Sequence, residues 1–429
     1  MAGVDETGLM PLGKTETLSL PERQQHMDWA VKGAVEHAYH HAPAVKERMD
    51  RAGLSPSDIQ TARDLEKLPV ITKDELVSLQ KSNPPFGGFV TVPVNKLRKI
   101  CTSPGPLFEP EAGDPLERAA VVVKGLVAAG FTPGDIVLNT FSYHLVPPAH
   151  WIDEAVKVLG GVVVPGGTGN TELQVEIAKE LGVNAFVGTP SFLYTLLQKA
   201  EDQGYDVRRD FRLRWAFLGA EMYPPSLRRI LEDKYGVDTL ENYGTADLGV
   251  LSYQCTKKAG LHIGEENLVE IVDPAMGRQL GPGEMGEVVV TTFSPTYCLI
   301  RFGTGDLSMI TDEPCACGRT SPRLVRIAGR VGDAVKVRGM FLHPKEVADA
   351  LAPFPQVAAF QAVVGRQGQR DSLTLRLELK ENISEEEFSG KVSKNIQDRC
   401  RVRADMVEFV PPGTISEADK KVKDIRTWE

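Results

Sequence analysis

The chain has 429 residues, 42% hydrophobic and 25% charged, with 49 Lys+Arg against 58 Asp+Glu for a formal net charge of -9. That length predicts two or three domains that fold without disulfide help, and the acidic balance excludes a protein whose main partner is a nucleic-acid backbone. No apolar run is long enough to span a bilayer, the N-terminal segment has no basic start followed by an apolar stretch, and six scattered cysteines point to a reducing cytoplasm rather than a disulfide framework.

From about residue 118 helical and strand signals alternate. Residues 119–130 read as a buried helix and 135–140 as an apolar strand opened by the Pro133-Gly134 turn. A helix over 152–159 leads into a strand at 162–165, a helix over 172–181 into 185–188, and the amphipathic 191–203 into 213–218. Apolar strands separated by single helices imply an α/β fold with a parallel sheet covered on both faces. Glycine-rich loops follow several strands, at Gly166-Gly167-Thr168-Gly169-Asn170, Gly188-Thr189-Pro190 and Gly219-Ala220-Glu221. Such loops lie where open parallel sheets bind ligands.

After residue 250 the pattern changes to strands at 269–272, 287–292 and 299–302, parted by turns such as Gly281-Pro282-Gly283, a β-rich subdomain. A last α+β unit begins near residue 331, with a helix over 344–351, strands at 357–364 and 373–379, and a helix opened by a capping box of Ser384 and Glu387. The expected division is an N-terminal domain, residues 1–330, and a C-terminal domain, residues 331–429.

Two segments carry chemistry. In RFGTGDLSMI, residues 301–310, a strand runs into Gly303-Thr304-Gly305 and ends on Asp306, whose carboxylate suits a vicinal diol such as a ribose. In GRVGDAVKVRG, residues 329–339, small and charged residues alternate between apolar strands, as in a bendable connection. The first resembles the Y/F-x-T-G-D element of the acyl- and aryl-CoA synthetase (adenylation-domain) superfamily, and the second its G-R-x-D-D-x-x-K-x-R-G hinge. Residues 40–76, GFTPGDIV, GGTGNTELQ, GTPSFLYTLL, ENYGTADLG and PCACGRTSPRLVRIAGR follow in the order of the phenylacetate-CoA ligase-like branch. The resemblance covers nearly the whole chain, and motif order and spacing agree.

It implies ATP-dependent, AMP-forming activation of an aromatic or arylalkyl carboxylic acid, then transfer to coenzyme A, with Mg2+ as cofactor. It also implies residue roles. Gly219, Ala220 and Glu221 border the adenine, Tyr243 and the adjoining Gly244 face it, Asp247 stands where the family has a Mg2+-binding Glu, Asp306 holds the ribose, and Arg330 approaches ribose or phosphate. Tyr143, Gly166 and Gly167 resemble the wall of the acid pocket, with Phe186 or Phe192 as further lining. Gly332 and Asp333 are the hinge about which a mobile C-terminal domain turns. In the tail GTISEADKKVKDIRTWE the catalytic lysine is Lys421, with Lys420 and Lys423 as alternatives.

The chain departs from the family at its phosphate loop, where CTSPGPLFEPE, residues 101–111, keeps Ser103 as a candidate nucleotide contact but loses the Thr-Thr-Gly-Lys run. Prolines remove donors and Glu109 repels phosphate, so a weaker hold on pyrophosphate is expected. Other outcomes stay open: an adenylating enzyme with an acceptor other than coenzyme A, a non-catalytic binder of an acyl-adenylate or aromatic acid, and a zinc-stabilised scaffold. Cys315 and Cys317 with Cys255 and His262 form a candidate Cys3His set for structural Zn2+, with free buried thiols as the alternative. The sequence leaves open which acid is used and whether the chain forms a homodimer.

Overall fold

A computed structural model of the chain describes residues 13–103, 105–111, 113–331, 335–338, 340–342, 344–380, 384–416 and 419–427. It divides into two compact units, one of Met1–Met222 with Arg228–Gly329 and one of Tyr223–Leu227 with Arg330–Glu429. The hinge candidates Gly332 and Asp333 lie outside the described residues.

The larger unit opens with helices α1 (Leu20–His41), α2 (Pro43–Arg51) and α3 (Lys73–Ser82). Helix α1 starts at a capping box: the Ser19 amide donates to Glu22 Oε2 at 2.9 Å and the Glu22 amide to Ser19 Oγ, answering two otherwise orphaned donors. Its buried stripe of Val31, Val35 and Ala38 shares one core with Met49, Leu65, Leu76, Val288, Val290 and Phe302. A two-stranded hairpin, β1 (Lys99–Ser103) and β2 (Leu107–Glu111), follows.

The predicted alternation then appears as α4 (Leu116–Ala128), β3 (Ile136–Asn139), α5 (Pro148–Leu159), β4 (Val162–Pro165), α6 (Thr171–Glu180), β5 (Ala185–Gly188), α7 (Pro190–Asp202), the short α8 (Val207–Asp210) and β6 (Trp215–Leu218). Strands β7 (Asp238–Thr245), β8 (Gly249–Gln254) and β9 (Leu261–Ile263) complete the centre. One nine-stranded sheet results, in the order β13-β14-β9-β8-β7-β6-β5-β3-β4, with β13 (Ile310–Thr311) and β14 (Arg323–Leu324) at its far side. It is parallel only from β4 to β7 and antiparallel beyond. The β-rich stretch after residue 250 therefore first extends the parallel sheet. Helices α4 and α5 pack Val122, Leu126, Trp151 and Val156 against Val137, Val187 and Phe217.

A second, four-stranded sheet has the order β10-β11-β12-β15, from β10 (Asn267–Val272), β11 (Gly286–Thr292), β12 (Phe302–Ser308) and β15 (Gly329–Arg330). This corrects the strand expected at 299–302. The strand begins where that one was to end and runs through the glycines. Strand β12 itself bulges, Gly303 and Leu307 standing opposite Val289 and Glu287 of β11, with Gly305 between them at φ +74°, the left-handed region that glycine enters without steric cost.

The smaller unit carries the hairpin β16 (Val335–Val337) and β17 (Met340–Leu342), a helix at Pro344–Leu351, strands β18 (Val357–Gln367) and β19 (Arg370–Leu379), a helix at Glu385–Cys400, and strands β20 (Met406–Phe409) and β21 (Val422–Asp424). Its sheet has the order β20-β19-β18-β21. Both helices close over one face, where Val347, Leu351, Val392 and Ile396 meet Val364, Leu373 and Leu377. Ser384 sits at the N-cap of the second helix, but its side chain makes no capping hydrogen bond. Among the described residues no helix is long and apolar enough to cross a membrane.

Candidate active site

Because β3 to β7 run parallel, the loops after β4, β5, β6 and β7 share one edge of the sheet, the edge at which such folds take ligands. Gly166, Gly167, Gly219, Ala220, Glu221 and Gly244 all lie along it.

The loop after β4 is held from inside. Gln174, 3% exposed, donates through Nε2 to the carbonyls of Gly166 at 3.2 Å, Gly167 at 3.1 Å and Gly169 at 2.7 Å. A Cβ on Gly166 would stand 2.8 Å from Leu138 Cδ1, and one on Gly167 would stand 3.7 Å from Tyr143 Cδ2. Tyr143 thus neighbours the loop, its hydroxyl donating to Asp153 Oδ1 at 2.8 Å, and burial and that bond push its phenol up. Phe186 belongs to the interior, fully buried in β5; this removes it as pocket lining. Phe192 is half-buried in the first turn of α7.

After β6 the chain turns on Gly219 and on Ala220, which adopts φ +69°. Any Cβ at Gly219 would lie 2.6 Å from Asn242 Oδ1. Glu221 accepts from the Ser191 amide at 2.6 Å and the Ser191 hydroxyl at 3.0 Å, which joins this turn to the start of α7. On β7, Gly244 lies so close to β8 that a Cβ would meet the Gly249 carbonyl oxygen at 2.4 Å.

The closest meeting of candidate residues is between Tyr243 and Asp306. The Tyr243 hydroxyl donates to Asp306 Oδ2 at 2.9 Å, with the Thr304 hydroxyl 3.3 Å away. Both side chains are largely buried. The bulge sets this geometry: the Gly305 amide donates to Glu287 Oε1 at 2.9 Å, and the Asp306 amide donates to Thr304 Oγ1 at 3.1 Å.

Asp247 and Ser103 also come together, in a cluster that sequence reading did not foresee. Ser103 Oγ lies 2.6 Å from Glu109 Oε1 and 3.2 Å from Asp247 Oδ1. Lys73, at the start of α3, places its ammonium 3.2 Å from Asp247 Oδ1. Two buried carboxyl groups face one cation. Burial and the Asp247 charge hold the Glu109 carboxyl well above its ordinary range, whereas at Asp247 burial is outweighed by the Lys73 charge together with hydrogen bonds from Glu109, Lys73 and Ser103, which keep it below the usual carboxylate range. Lys73 was missed because 174 positions separate it from its partner; its only local signal is a helix start.

In the smaller unit the tail is pinned to β18. The Lys421 carbonyl accepts from the Ala362 amide at 2.8 Å and the Lys420 carbonyl from Gln361 Nε2 at 3.1 Å. The Lys421 ammonium lies 5.8 Å from the centre of the Phe360 ring; Lys420 and Lys423 are exposed. Arg330 is half-buried in β15, at the boundary of the two units.

Known proteins match the same two parts of the chain. The AMP-binding enzyme family matches residues 118–295, and the AMP-binding enzyme C-terminal domain matches residues 339–426. A phenylacetate-coenzyme A ligase of Thermus thermophilus is 30% identical, over 96% of this chain and 98% of that protein. The chain belongs to the phenylacetate-coenzyme A ligase branch of the AMP-binding enzymes. The Escherichia coli phenylacetate-coenzyme A ligase is likewise 30% identical, over 88% of this chain and 87% of its own length. Among solved structures, a 2-hydroxyisobutyryl-CoA ligase in complex with 2-HIB-AMP and CoA matches with a TM-score of 0.89 at 26% identity, over 96% of this chain and 92% of that one. The carboxyl edge with its glycine loops, Tyr243 and Asp306 falls within this shared fold.

Proposed function

We propose that this protein is an AMP-forming acid–thiol ligase that converts an aromatic or arylalkyl carboxylic acid into its coenzyme A thioester at the expense of ATP. The Tyr243–Asp306 pair carries the reading. It joins an aromatic ring and a carboxylate, 63 positions apart, beside the loop edge of the sheet, a combination suited to a nucleoside. Relatives named as phenylacetate-coenzyme A ligases over nearly the whole chain support the substrate class.

In the first step the acid's carboxylate attacks the α-phosphorus of ATP, and pyrophosphate leaves with the electron pair of the cleaved P–O bond. In the second the thiol of coenzyme A attacks the acyl carbon, losing its proton, and AMP departs. Gly219, Ala220 and Glu221 border the adenine, Asp306 accepts from the ribose hydroxyls, and Arg330 approaches ribose or phosphate. Tyr143 and the Gly166–Gly167 turn wall the acid. Lys421 offsets the charge that grows on phosphorus. Asp247, Ser103 and the Glu109 carboxyl offer only oxygen donors and would hold Mg2+ once the Lys73 ammonium moves off Asp247 and Glu109 gives up its proton; Mg2+ bound there would supply Lewis-acid stabilisation. The C-terminal domain turns about Gly332 and Asp333 between the steps, so one site serves both. A Zn2+ held by Cys255, His262, Cys315 and Cys317 takes no part in either step.

A panel of aromatic acids with MgATP, with and without coenzyme A, tests this by following acid-dependent pyrophosphate exchange, AMP and thioester. AMP and thioester formation with at least one arylalkyl acid is expected. Tight binding of an acid with neither exchange nor AMP would overturn the enzyme reading, and AMP without thioester would overturn coenzyme A as acceptor.

A further inference from the structure

Three separate segments converge on one point at the antiparallel side of the large sheet. Cys255 follows the last residue of β8, His262 is the middle residue of β9, and Cys315 and Cys317 stand in the connection between β13 and β14. Pairing of β14 with β9, Arg323 opposite His262, fixes that connection against the histidine. The four ligand atoms lie within 4.8 Å of one another.

The separations discriminate between chemistries. Cys255 Sγ and Cys315 Sγ are 3.8 Å apart, far beyond the roughly 2.05 Å of a disulfide. Cys317 Sγ and His262 Nε2 are 3.4 Å apart. A tetrahedral Zn2+ with bonds of about 2.3 Å to sulfur and 2.0–2.1 Å to nitrogen requires S···S near ~3.8 Å and S···N near ~3.6 Å. The surroundings are those of ligands as well. His262 is fully buried, and its other nitrogen, Nδ1, lies 3.1 Å from Ser321 Oγ, which orients Nε2 toward the thiols. The Arg319 amide donates to Cys317 Sγ at 3.5 Å. Four protein ligands leave no open position, so such an ion is structural.

The connection that supplies two of these thiols also grips the front of the chain. Arg319 Nε donates to Glu16 Oε1 at 2.6 Å, and the Tyr253 hydroxyl donates to the same oxygen at 2.9 Å. The Thr320 amide donates to the Glu16 carbonyl at 2.9 Å, and the Thr320 hydroxyl to the Leu18 carbonyl at 2.5 Å. Arg23 reaches Thr320 Oγ1 at 2.9 Å and Glu265 at 2.7 Å. Glu16 is only 5% exposed, yet residues 312–314, 316 and 318 of the gripping connection are exposed and bury nothing apolar. Cys315 and Cys317 are the part of that connection that lies against the core, and Arg323 donates to the Glu313 carbonyl at 2.8 Å, so the two thiols and this arginine are its anchor points.

We infer that a Zn2+ at Cys255, His262, Cys315 and Cys317 clasps residues 13–23 onto the body of the larger unit through Arg319 and Thr320. The inference rests on the Zn2+ reading given above and is independent of the ligase reaction. Removing the ion with chelator is expected to loosen the clasp.

The experiment uses the full chain, purified under reducing conditions without added zinc. Elemental analysis is expected to find stoichiometric zinc, and Co2+ exchange to give the intense visible and near-ultraviolet bands of tetrahedral thiolate coordination. Hydrogen exchange after chelation is expected to accelerate about tenfold or more at residues 13–23, to leave β3–β7 unchanged, and to recover on adding Zn2+ alone. Cys317→Ser should lose the metal, whereas Cys400→Ser, in the other unit, should keep it; if Cys317→Ser does not fold, chelation and re-addition decide. Absence of stoichiometric metal, or a six-coordinate cobalt spectrum, overturns the Zn2+ reading. Bound zinc whose removal leaves residues 13–23 unchanged, or loosens the whole unit alike, overturns the clasp alone.

Discussion

At the scale of single residues, the cluster of Lys73, Ser103, Glu109 and Asp247 shows what a linear reading could and could not reach. Asp247 and Ser103 were singled out because each sits in a recognisable motif. Lys73 was not, since an ion pair across 174 positions leaves no local pattern. Glu109 looked like a phosphate-repelling charge; the structure buries it and makes it the proton-holding member of the pair. The sign of its pH effect follows. A glutamate whose carboxyl is raised on folding binds a proton in the folded state that the unfolded chain has already released. Its contribution is full below the ordinary carboxylate range and is lost as pH rises through the folded value. Glu109→Gln, neutral at every pH, is therefore expected to match wild type near pH 4 and to exceed it in melting temperature at pH 8, in metal-free buffer. Parallel melting temperatures of the two proteins across that range would contradict the assignment.

Among elements, the strands and helices of the parallel half were readable from apolar runs, because strands buried on both faces are apolar throughout. Strand β12 was misplaced because Gly303 and Gly305 look like breakers, whereas they flank Thr304 in a bulge that lets the strand continue to Ser308. Arg301 was equally opaque. Its place before the motif suggested a strand residue, yet it is fully buried at φ +52°. Its guanidinium lies 3.0 Å from Glu270 and donates to the carbonyls of Leu68 and Gly277, both at 2.7 Å. This arginine ties the segment before α3 to the second sheet. Arg301→Met keeps the stem but strands the buried Glu270 carboxylate, at a cost of about 3–5 kcal/mol. Urea unfolding at neutral pH measures it, and a loss under about 1 kcal/mol would show that the network is dispensable.

For the whole molecule, the role proposed for Lys421 depends on how the tail is held. The Gln361 side-chain amide and the Ala362 backbone amide hold the carbonyls of residues 420 and 421, so the three lysines cannot exchange places by a slip of register. Lys421→Ala is expected to abolish acid-dependent pyrophosphate exchange, by about a hundredfold or more, while Lys420→Ala and Lys423→Ala stay within a few-fold of wild type. Loss with Lys420→Ala or Lys423→Ala instead would move the role. The hairpin of β1 and β2 has a consequence of a different kind. Its register sets Thr102 against Phe108 and Ser103 against Leu107, while the Thr102 amide donates to the Leu145 carbonyl at 2.6 Å and the Phe108 amide to Gln80 Oε1 at 2.8 Å, so main-chain donors that a phosphate loop would turn toward a ligand are committed within the protein. In the reaction proposed, pyrophosphate then has little to cling to once the P–O bond breaks. Exchange would then call for concentrated pyrophosphate, since a ligand with few donors to hold it saturates its site only weakly.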